Sequence, residues 1–335
     1  MMERLNSKWI TTVASIWIQC SVGGSYTFSI YSSTLKSTQN YDQSTLSSVS
    51  LFKENGGCTG VLAGLLYSFV TLDHRRHNAG RLHRFCGPWV VLFMGAILSF
   101  VGYFFMWASV VGLIHRPPVA LMRLFMFTAA HSTTFSTTAG LVTGVRNFPA
   151  HVGTIAGLLE GYLGLSGAIL IQVYNTLFQG NPSNYLLFLS VFPTSMTLLL
   201  MYFVRIHDTN SEDDKKHLNT LSIAALIMVA YFMIIIISDN IFIMASWVRI
   251  VTFIFLLLQL LVTPLGIAFQ AQMDDTEILS LTFSSERSNS SLVYDPEAPI
   301  IVAYHELPAG KTCQENHDST FDDLPKDMNL QQYAL

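Results

Sequence analysis

Residues 147–172 read NFPAHVGTIAGLLEGYLGLSGAILIQ, an apolar stretch that holds five glycines and a single carboxylate, that of Glu160. A helix of about 20 apolar residues crosses the hydrocarbon core of a bilayer, which is about 30 Å thick. This stretch is long enough and apolar enough to do so. We therefore interpret it as a transmembrane helix that carries an acidic side chain within the membrane.

The composition of the whole chain is that of a membrane protein. Of its 335 residues, 51% are hydrophobic and only 12% are charged, whereas a soluble domain carries about 25% charged residues. The mean hydropathy of +0.42 agrees with this interpretation. The net charge of −4 arises in the C-terminal tail, where twelve acids face three bases from Asp274 onward. We expect a lipid bilayer as the surroundings and no nucleic-acid partner.

Uncharged apolar runs predict eight transmembrane helices. A spanning segment must satisfy its own backbone hydrogen bonds, so helices are the default, and the alternating pattern of barrel strands is missing from the sequence. The predicted fold class is therefore an all-α, polytopic membrane protein. The eight predicted spans are residues 9–31, 55–72, 88–112, 119–145, 152–178, 185–204, 221–238 and 250–272.

The distribution of basic residues predicts the orientation and the domain organisation. With the N-terminus in the cytoplasm, ten bases lie in cytoplasmic loops and five in outer loops, as the positive-inside rule requires. The expected parts are a six-helix membrane domain, a cytoplasmic polar linker, two further transmembrane helices and an acidic tail that we expect to be disordered. Their predicted ranges are 1–205, 206–220, 221–272 and 273–335. The sequence does not distinguish the plasma membrane from the vacuolar membrane.

Two stretches carry a family resemblance. Residues 8–37 read KWITTVASIWIQCSVGGSYTFSIYSSTLKS, and residues 145–174 read VRNFPAHVGTIAGLLEGYLGLSGAILIQVY. Together they resemble the nodulin-like family of plant membrane proteins, a branch of the major facilitator superfamily, over residues 8–270. The resemblance implies two six-helix halves around a central path, in which a solute is met near the midplane by alternating access. It implies no particular substrate.

The chain departs from this family in its length and in its charges. Family members usually have about twelve spans, so the chain resembles one six-helix half with two more helices, and we expect a truncated product or a shortened isoform. The family usually has a lysine at the position of Glu160. It also has basic residues just after the Asn-Phe-Pro motif, where this chain has Ala150, His151 and Val152.

A helical wheel groups the glycines of the fifth span with its acid. Four of the five glycines lie within an arc of about 80° that also contains Glu160, and the fifth borders it. Small residues on one face allow close helix packing, so we expect a packing face formed by Gly153, Gly157, Gly161, Gly164 and Gly167. Glu160 itself remains open to three interpretations: a neutral structural acid, a drifted position, or a proton or substrate site.

Further polar residues inside the predicted spans are candidates for a solute path. Gln19 and Tyr26 lie in the first span, and His131 and Thr134 lie in a hydroxyl-rich run of the fourth span. Such hydroxyls often bond back to their own helix instead. The candidate path is therefore Glu160, Gln19, Tyr26, His131 and Thr134.

Two functions remain open. The first is a transporter of the major facilitator type, which moves a small unidentified solute by alternating access. The second is a truncated, non-transporting membrane protein that is inactive or associates with a full-length relative. If the chain has eight spans, a homo- or hetero-oligomer is possible. Catalytic and nucleotide-binding motifs are missing, and the four cysteines form no metal-binding pattern. We therefore expect no enzyme activity, no cofactor and no bound metal.

Overall fold

The computed structural model describes residues 7–72, 87–207, 214–241 and 246–291, and these residues form α-helices, short 3-10 helices and loops, without a strand among them. The fold is all-α, as predicted. The ten α-helices of the described ranges are α1 Lys8–Ser21, α2 Phe28–Gln39, α3 Gln43–Cys58, α4 Val61–Leu72, α5 Pro88–Val111, α6 Val119–Asn147, α7 Val152–Leu177, α8 Pro182–Leu200, α9 Asp214–Ile241 and α10 Ser246–Ser291.

Five of the described helices are long enough and apolar enough to cross a membrane. They match the predicted spans three, five, six, seven and eight, which makes the chain a multi-pass integral membrane protein. The five segments are Pro88–Val111, Pro149–Leu177, Pro182–Leu200, Asp214–Ser238 and Trp247–Asp274. The predicted span four corresponds to α6, which is long enough at 29 residues but less apolar because of its hydroxyl-rich run.

The first two predicted spans are each broken into two helices. In the first, α1 ends at Ser21, a 3-10 helix runs over Gly23–Thr27, and α2 follows. Glycine is a poor helix former, which favours an interruption at Gly23-Gly24. In the second, α3 and α4 are separated at Thr59 and Gly60. A single continuous helix over 9–31 was therefore the wrong prediction.

The second span also begins earlier than predicted, because α3 starts at Gln43 rather than near residue 55. Asp42 caps α3, since its carboxylate accepts a hydrogen bond of 2.8 Å from the Thr45 amide. Hydrogen bonds from the side chain and the amide of Thr45 lower the pKa of Asp42. The chain enters this cap through Asn40, whose positive φ of 54° is one that asparagine tolerates.

Buried apolar side chains form three clusters that hold the helices together. The cluster around Trp9 joins α1 and α7 to α9 and α10. The cluster around Tyr31 joins α2, α3, α5, α6 and α8. The cluster around Tyr67 joins α1, α4, α5 and α6. As a result, α1 and α7 pack on one another and on α9, while α5 packs along both α6 and α8.

A buried ion pair ties the start of α1 to the start of α9. Lys8 Nζ lies 2.7 Å from Asp214 Oδ1, and the two side chains are only 4% and 6% exposed. The ammonium group also lies 5.5 Å from the ring centroid of Phe148, and the ring of His217 packs edge-on against Trp9. Because α9 already begins at Asp214, residues 214–220 of the predicted linker are helical instead.

The predicted disordered tail also begins too early. The backbone of α10 stays helical to Ser291, since neither glycine nor proline interrupts the sequence between Gly266 and that residue. Residues 292–335 lie outside the described residues, as do the basic loop at 73–86 and Cys86. The described residues up to Phe283 form one compact unit, and its boundary falls within α10. The predicted domain boundaries at 205 and 272 stay predictions.

We predict that Lys8→Met destabilises the protein strongly, because it leaves the Asp214 carboxylate buried without its nearest cation. Removing one partner of a buried pair costs about 3–5 kcal/mol. The charge-swapped variant Lys8→Asp/Asp214→Lys should recover part of the loss. Thermal unfolding of the purified chain in detergent measures both effects. Equal midpoints for Lys8→Met and the parent would show that the pair does not hold α1 to α9.

Candidate functional site

The interruption of the first span, which we call the break, packs closely against α7 and α5. A Cβ added to Gly23 would overlap Ser166 Oγ on α7 and would lie 3.0 Å from the Gly167 amide. A Cβ added to Gly24 would lie 2.6 Å from the Tyr103 hydroxyl on α5. The backbone therefore approaches both helices more closely than any side chain allows, and only glycine fits at these two positions.

Hydroxyl groups satisfy backbone carbonyls that the break leaves without helical partners. Thr133 Oγ1 on α6 donates a hydrogen bond of 3.1 Å to the Val22 carbonyl. Thr27 Oγ1 donates to the Gly24 carbonyl at 2.8 Å. A buried carbonyl without a partner is costly, so these bonds stabilise the interrupted conformation. The hydroxyl-rich run of α6 thus supports the broken helix at Thr133.

Tyr26 lies just after the two glycines, and the position of its side chain depends on Gly167. A Cβ on Gly167 would lie 3.0 Å from the Tyr26 Cβ, so the absence of a side chain at Gly167 makes room for the tyrosine. Gly167 therefore lies against the interrupted part of the first span. The Tyr26 side chain remains 54% exposed, and it lies within electrostatic range of the carboxylates of Glu160 and Glu54.

The other four glycines of α7 do not make the helix contact that we predicted. Within the described part of the chain, a Cβ at any of them would meet nothing within 4 Å, and all four are exposed. The reason is that α7 packs through its opposite, leucine-rich side, where Leu159 and Tyr162 are fully buried. We call the uncovered surface the open face of α7. It consists of Gly153, Gly157, Glu160, Gly161 and Gly164.

Glu160 lies in the middle of the open face. Its side chain is exposed, and among the described residues no hydrogen bond or ion pair holds its carboxylate. Glu160 stands eight residues into α7, about 12 Å along the helix. Glu160 is therefore well inside the candidate span Pro149–Leu177 rather than at its end.

Glu54 directly precedes the predicted second span at 55–72, but the structure places it well inside α3. It stands eleven residues after the start of the helix, about 16 Å along it. Its carboxylate lies 2.6 Å from Lys53 Nζ, and that ammonium group lies 5.5 Å from the Phe28 ring centroid. The Asp42 cap is the sequence signal that could have located the true start of α3.

Close packing fixes α3, and hence Glu54, against α6. A Cβ added to Gly56 would lie 2.5 Å from the Phe127 carbonyl oxygen. His131 lies at the same contact between α3 and α6, and its Nδ1 is 3.2 Å from the Gly56 carbonyl oxygen. The His131 ring stacks on Phe127 and meets Phe135 edge-on. His131 is therefore a buried group at a helix interface and does not lie on the open face.

Of the remaining candidates, Gln19 is buried between helices and Thr134 is partly buried. Gln19 is fully buried, and its Oε1 accepts a hydrogen bond of 3.4 Å from Thr137 Oγ1 on α6. Thr134 bonds back to the His131 carbonyl at 2.8 Å, the alternative that the sequence left open. The five candidates thus fall into two sets. Tyr26 and Glu160 lie together at the open face, whereas Gln19, His131 and Thr134 lie in the interior.

The described residues contain no group of three or more histidine, cysteine, aspartate or glutamate side chains that could hold a metal ion. Of the four cysteines, the structure describes Cys20, which is buried, and Cys58, which is exposed, and both are free thiols. The candidate site is therefore a polar surface on a broken-helix scaffold: the carboxylate of Glu160, the glycine-lined open face of α7, and Tyr26 against Gly167.

Comparison with known proteins identifies the scaffold. A family model described as nodulin-like matches residues 8–74 and 77–269. The chain belongs to the nodulin-like family. Both stretches that carried the resemblance lie within the match, so the nodulin-like segment includes the broken first span and the glycine-rich α7.

One curated relative of this nodulin-like chain is the Arabidopsis thaliana protein NUCLEAR FUSION DEFECTIVE 4. The two are 28% identical over 214 residues, which cover 63% of this chain and 34% of the relative. The chain therefore spans about a third of the length of that protein. No solved structure matches the chain.

We predict that Gly23→Ala destabilises the protein by about 1–3 kcal/mol, the usual cost of forcing extra atoms into a packed site. Gly157→Ala is the matched control, because its new Cβ would meet open space and alanine favours a helix. Thermal unfolding of the two variants beside the parent tests the contact. If Gly23→Ala unfolds at the same temperature as Gly157→Ala, the close approach of the break to α7 is wrong.

Proposed function

We propose that this nodulin-like chain is a transporter-type protein of the major facilitator superfamily, in which the open face of α7 lines the path of a small solute. The proposal rests on the exposed carboxylate of Glu160, which lies in a membrane-spanning helix and within electrostatic range of Tyr26. A charge at mid-membrane costs about 2.5–3.5 kcal/mol on insertion scales. Such a group belongs next to water or protein rather than lipid.

The broken first span supports the same proposal. Discontinuous helices in secondary transporters place backbone and polar groups near the midplane, where the solute is met. Here the break places Tyr26 over Gly167, on the side of α7 that carries Glu160. Four uncovered glycines then leave a smooth surface along which a solute can move or a second helix bundle can rock.

The proposal also includes the orientation of the chain in the membrane and the choice of transport over catalysis. We place the N-terminus in the cytoplasm on the strength of the ten bases in the predicted cytoplasmic loops. We assign transport rather than catalysis, since the polar groups of the open face form no nucleophile–base pair. The proposal is independent of which membrane holds the protein. It is also independent of the identity of the solute and of the coupling ion.

A second function is favoured by the same uncovered glycines. Small residues in a row suit close helix–helix association in a membrane, so the open face could instead bind a larger relative of the family. In that case the chain alone would carry no solute, and its role would depend on the complex. Solute flux by the purified chain separates the two functions.

The test of the transport proposal is uptake by proteoliposomes that contain the purified full chain. A panel of labelled amino acids, sugars, nucleobases, inorganic anions and metal cations is screened first, with an internal pH dye to detect coupled proton entry. For any solute that is transported, we predict that Glu160→Gln lowers the uptake rate at least tenfold or removes its pH dependence, because the carboxylate can no longer ionise.

The control for this test is Glu54→Gln, which changes the neighbouring acid and leaves Glu160 in place. Unfolding midpoints of both variants show whether the fold is retained. Unchanged rates and an unchanged pH profile in Glu160→Gln would remove Glu160 from the mechanism. The absence of flux for every solute, from a folded chain, would favour the second function.

A further inference from the structure

A proline interrupts the backbone hydrogen bonding of α10 in the middle of its span. Pro264 lies inside the helix, and proline has no N–H to donate to the carbonyl four residues earlier, which here is that of Leu260. Leu260 lies thirteen residues after Trp247 and fourteen before Asp274, the two ends of the candidate span. Water is scarce at that depth, so the freed carbonyl needs a partner from the protein.

A tryptophan of the first span supplies this partner. Trp17 Nε1 on α1 donates a hydrogen bond of 3.0 Å to the Leu260 carbonyl oxygen. Trp17 stands nine residues after Lys8, about 13 Å along α1, whereas tryptophans of membrane helices are enriched at the two interfaces. The indole N–H of a buried tryptophan needs an acceptor. One bond therefore satisfies both the indole of Trp17 and the carbonyl that Pro264 leaves free.

The two arms of α10 on either side of Pro264 are held differently. Before the proline, Thr252 is bonded to two other helices, since Gln172 Nε2 donates to its hydroxyl at 3.3 Å and the Tyr231 hydroxyl donates to its carbonyl at 2.6 Å. Beyond the proline, the most deeply buried side chains of the described residues are the small Ala268 and Ala271. The first arm is therefore anchored by hydrogen bonds and the second arm by small apolar contacts.

We propose that Trp17 and Pro264 form a latched hinge, a bend in α10 that a single bond to α1 holds in place. The hydrogen bond that is missing at Pro264 lets the helix bend there, and the indole of Trp17 fixes the bend against α1. Release of this bond frees the arm beyond Pro264 to move relative to α1, while Thr252 keeps the other arm in place. The inference is independent of the proposed transport.

Distances between spin labels on the full chain test the latch. With the four native cysteines replaced, one label is placed at Leu199 on α8 and the other at Met273, beyond the hinge, or at Ile250, before it; all three positions are exposed. Trp17→Phe keeps an aromatic ring and removes the N–H. We predict that it widens the 199–273 distance distribution at least about twofold, because the second arm is no longer tied to α1. The 199–250 distribution should stay unchanged.

The control restores the missing backbone donor. In a Pro264→Ala background the new amide can bond to the Leu260 carbonyl, so Trp17→Phe should leave both distance distributions unchanged, although the loss of packing at residue 17 is the same. Pro193→Ala, which removes the proline inside α8, should not protect the chain in this way. The proposal is overturned if Trp17→Phe leaves the 199–273 distribution unchanged with Pro264 present, or widens it equally in the Pro264→Ala background.

Thermal unfolding of the same variants in one detergent provides a second measurement. We predict that Trp17→Phe lowers the unfolding midpoint by at least about 3 °C more with Pro264 present than in the Pro264→Ala background, because only the first change leaves a buried carbonyl without a donor. Equal losses in the two backgrounds would show that Trp17 contributes packing alone, and would contradict the latch.

Discussion

The close approach of Gly23 and Gly24 to α7 and α5 is the constraint on which the rest of the site depends. Neither position accepts a side chain, so the first span must be interrupted where its backbone touches Ser166 and Tyr103. The interruption turns Tyr26 toward α7 and leaves carbonyl groups that Thr133 and Thr27 satisfy. Without this contact, the first span could form a continuous helix and Tyr26 would point elsewhere.

The open face is the surface of α7 that lies opposite its packed side. Leucine and tyrosine side chains of α7 are buried against α1 and α9, and the Lys8–Asp214 pair closes that interface at one end. The glycines and Glu160 are left uncovered. A carboxylate on such a surface is stable only beside water or protein, and for this reason we propose the open face as the site of transport or association.

Hydropathy predicted the membrane helices well, because the bilayer sets their length and excludes charge. It could not predict the break, since Gly23 and Gly24 are as compatible with a close-packed helix as with an interruption until their neighbours are known. The wheel correctly grouped Glu160 with the glycines, but periodicity says nothing about whether another helix covers that face. In the sequence, Gln19, His131 and Tyr26 are all polar residues within apolar spans. Only the packing of α6 shows that Gln19 and His131 are buried whereas Tyr26 is exposed.

The most direct test of this account asks whether the open face borders water. With the four native cysteines replaced, a cysteine at Gly161 is compared with one at Ile97, an exposed residue of α5 at the same distance from the start of its helix. The measurement is the rate of labelling by a water-soluble maleimide in proteoliposomes, since thiols ionise and react only where water reaches them. We expect at least tenfold faster labelling at residue 161. Equal, slow labelling at both positions would contradict it.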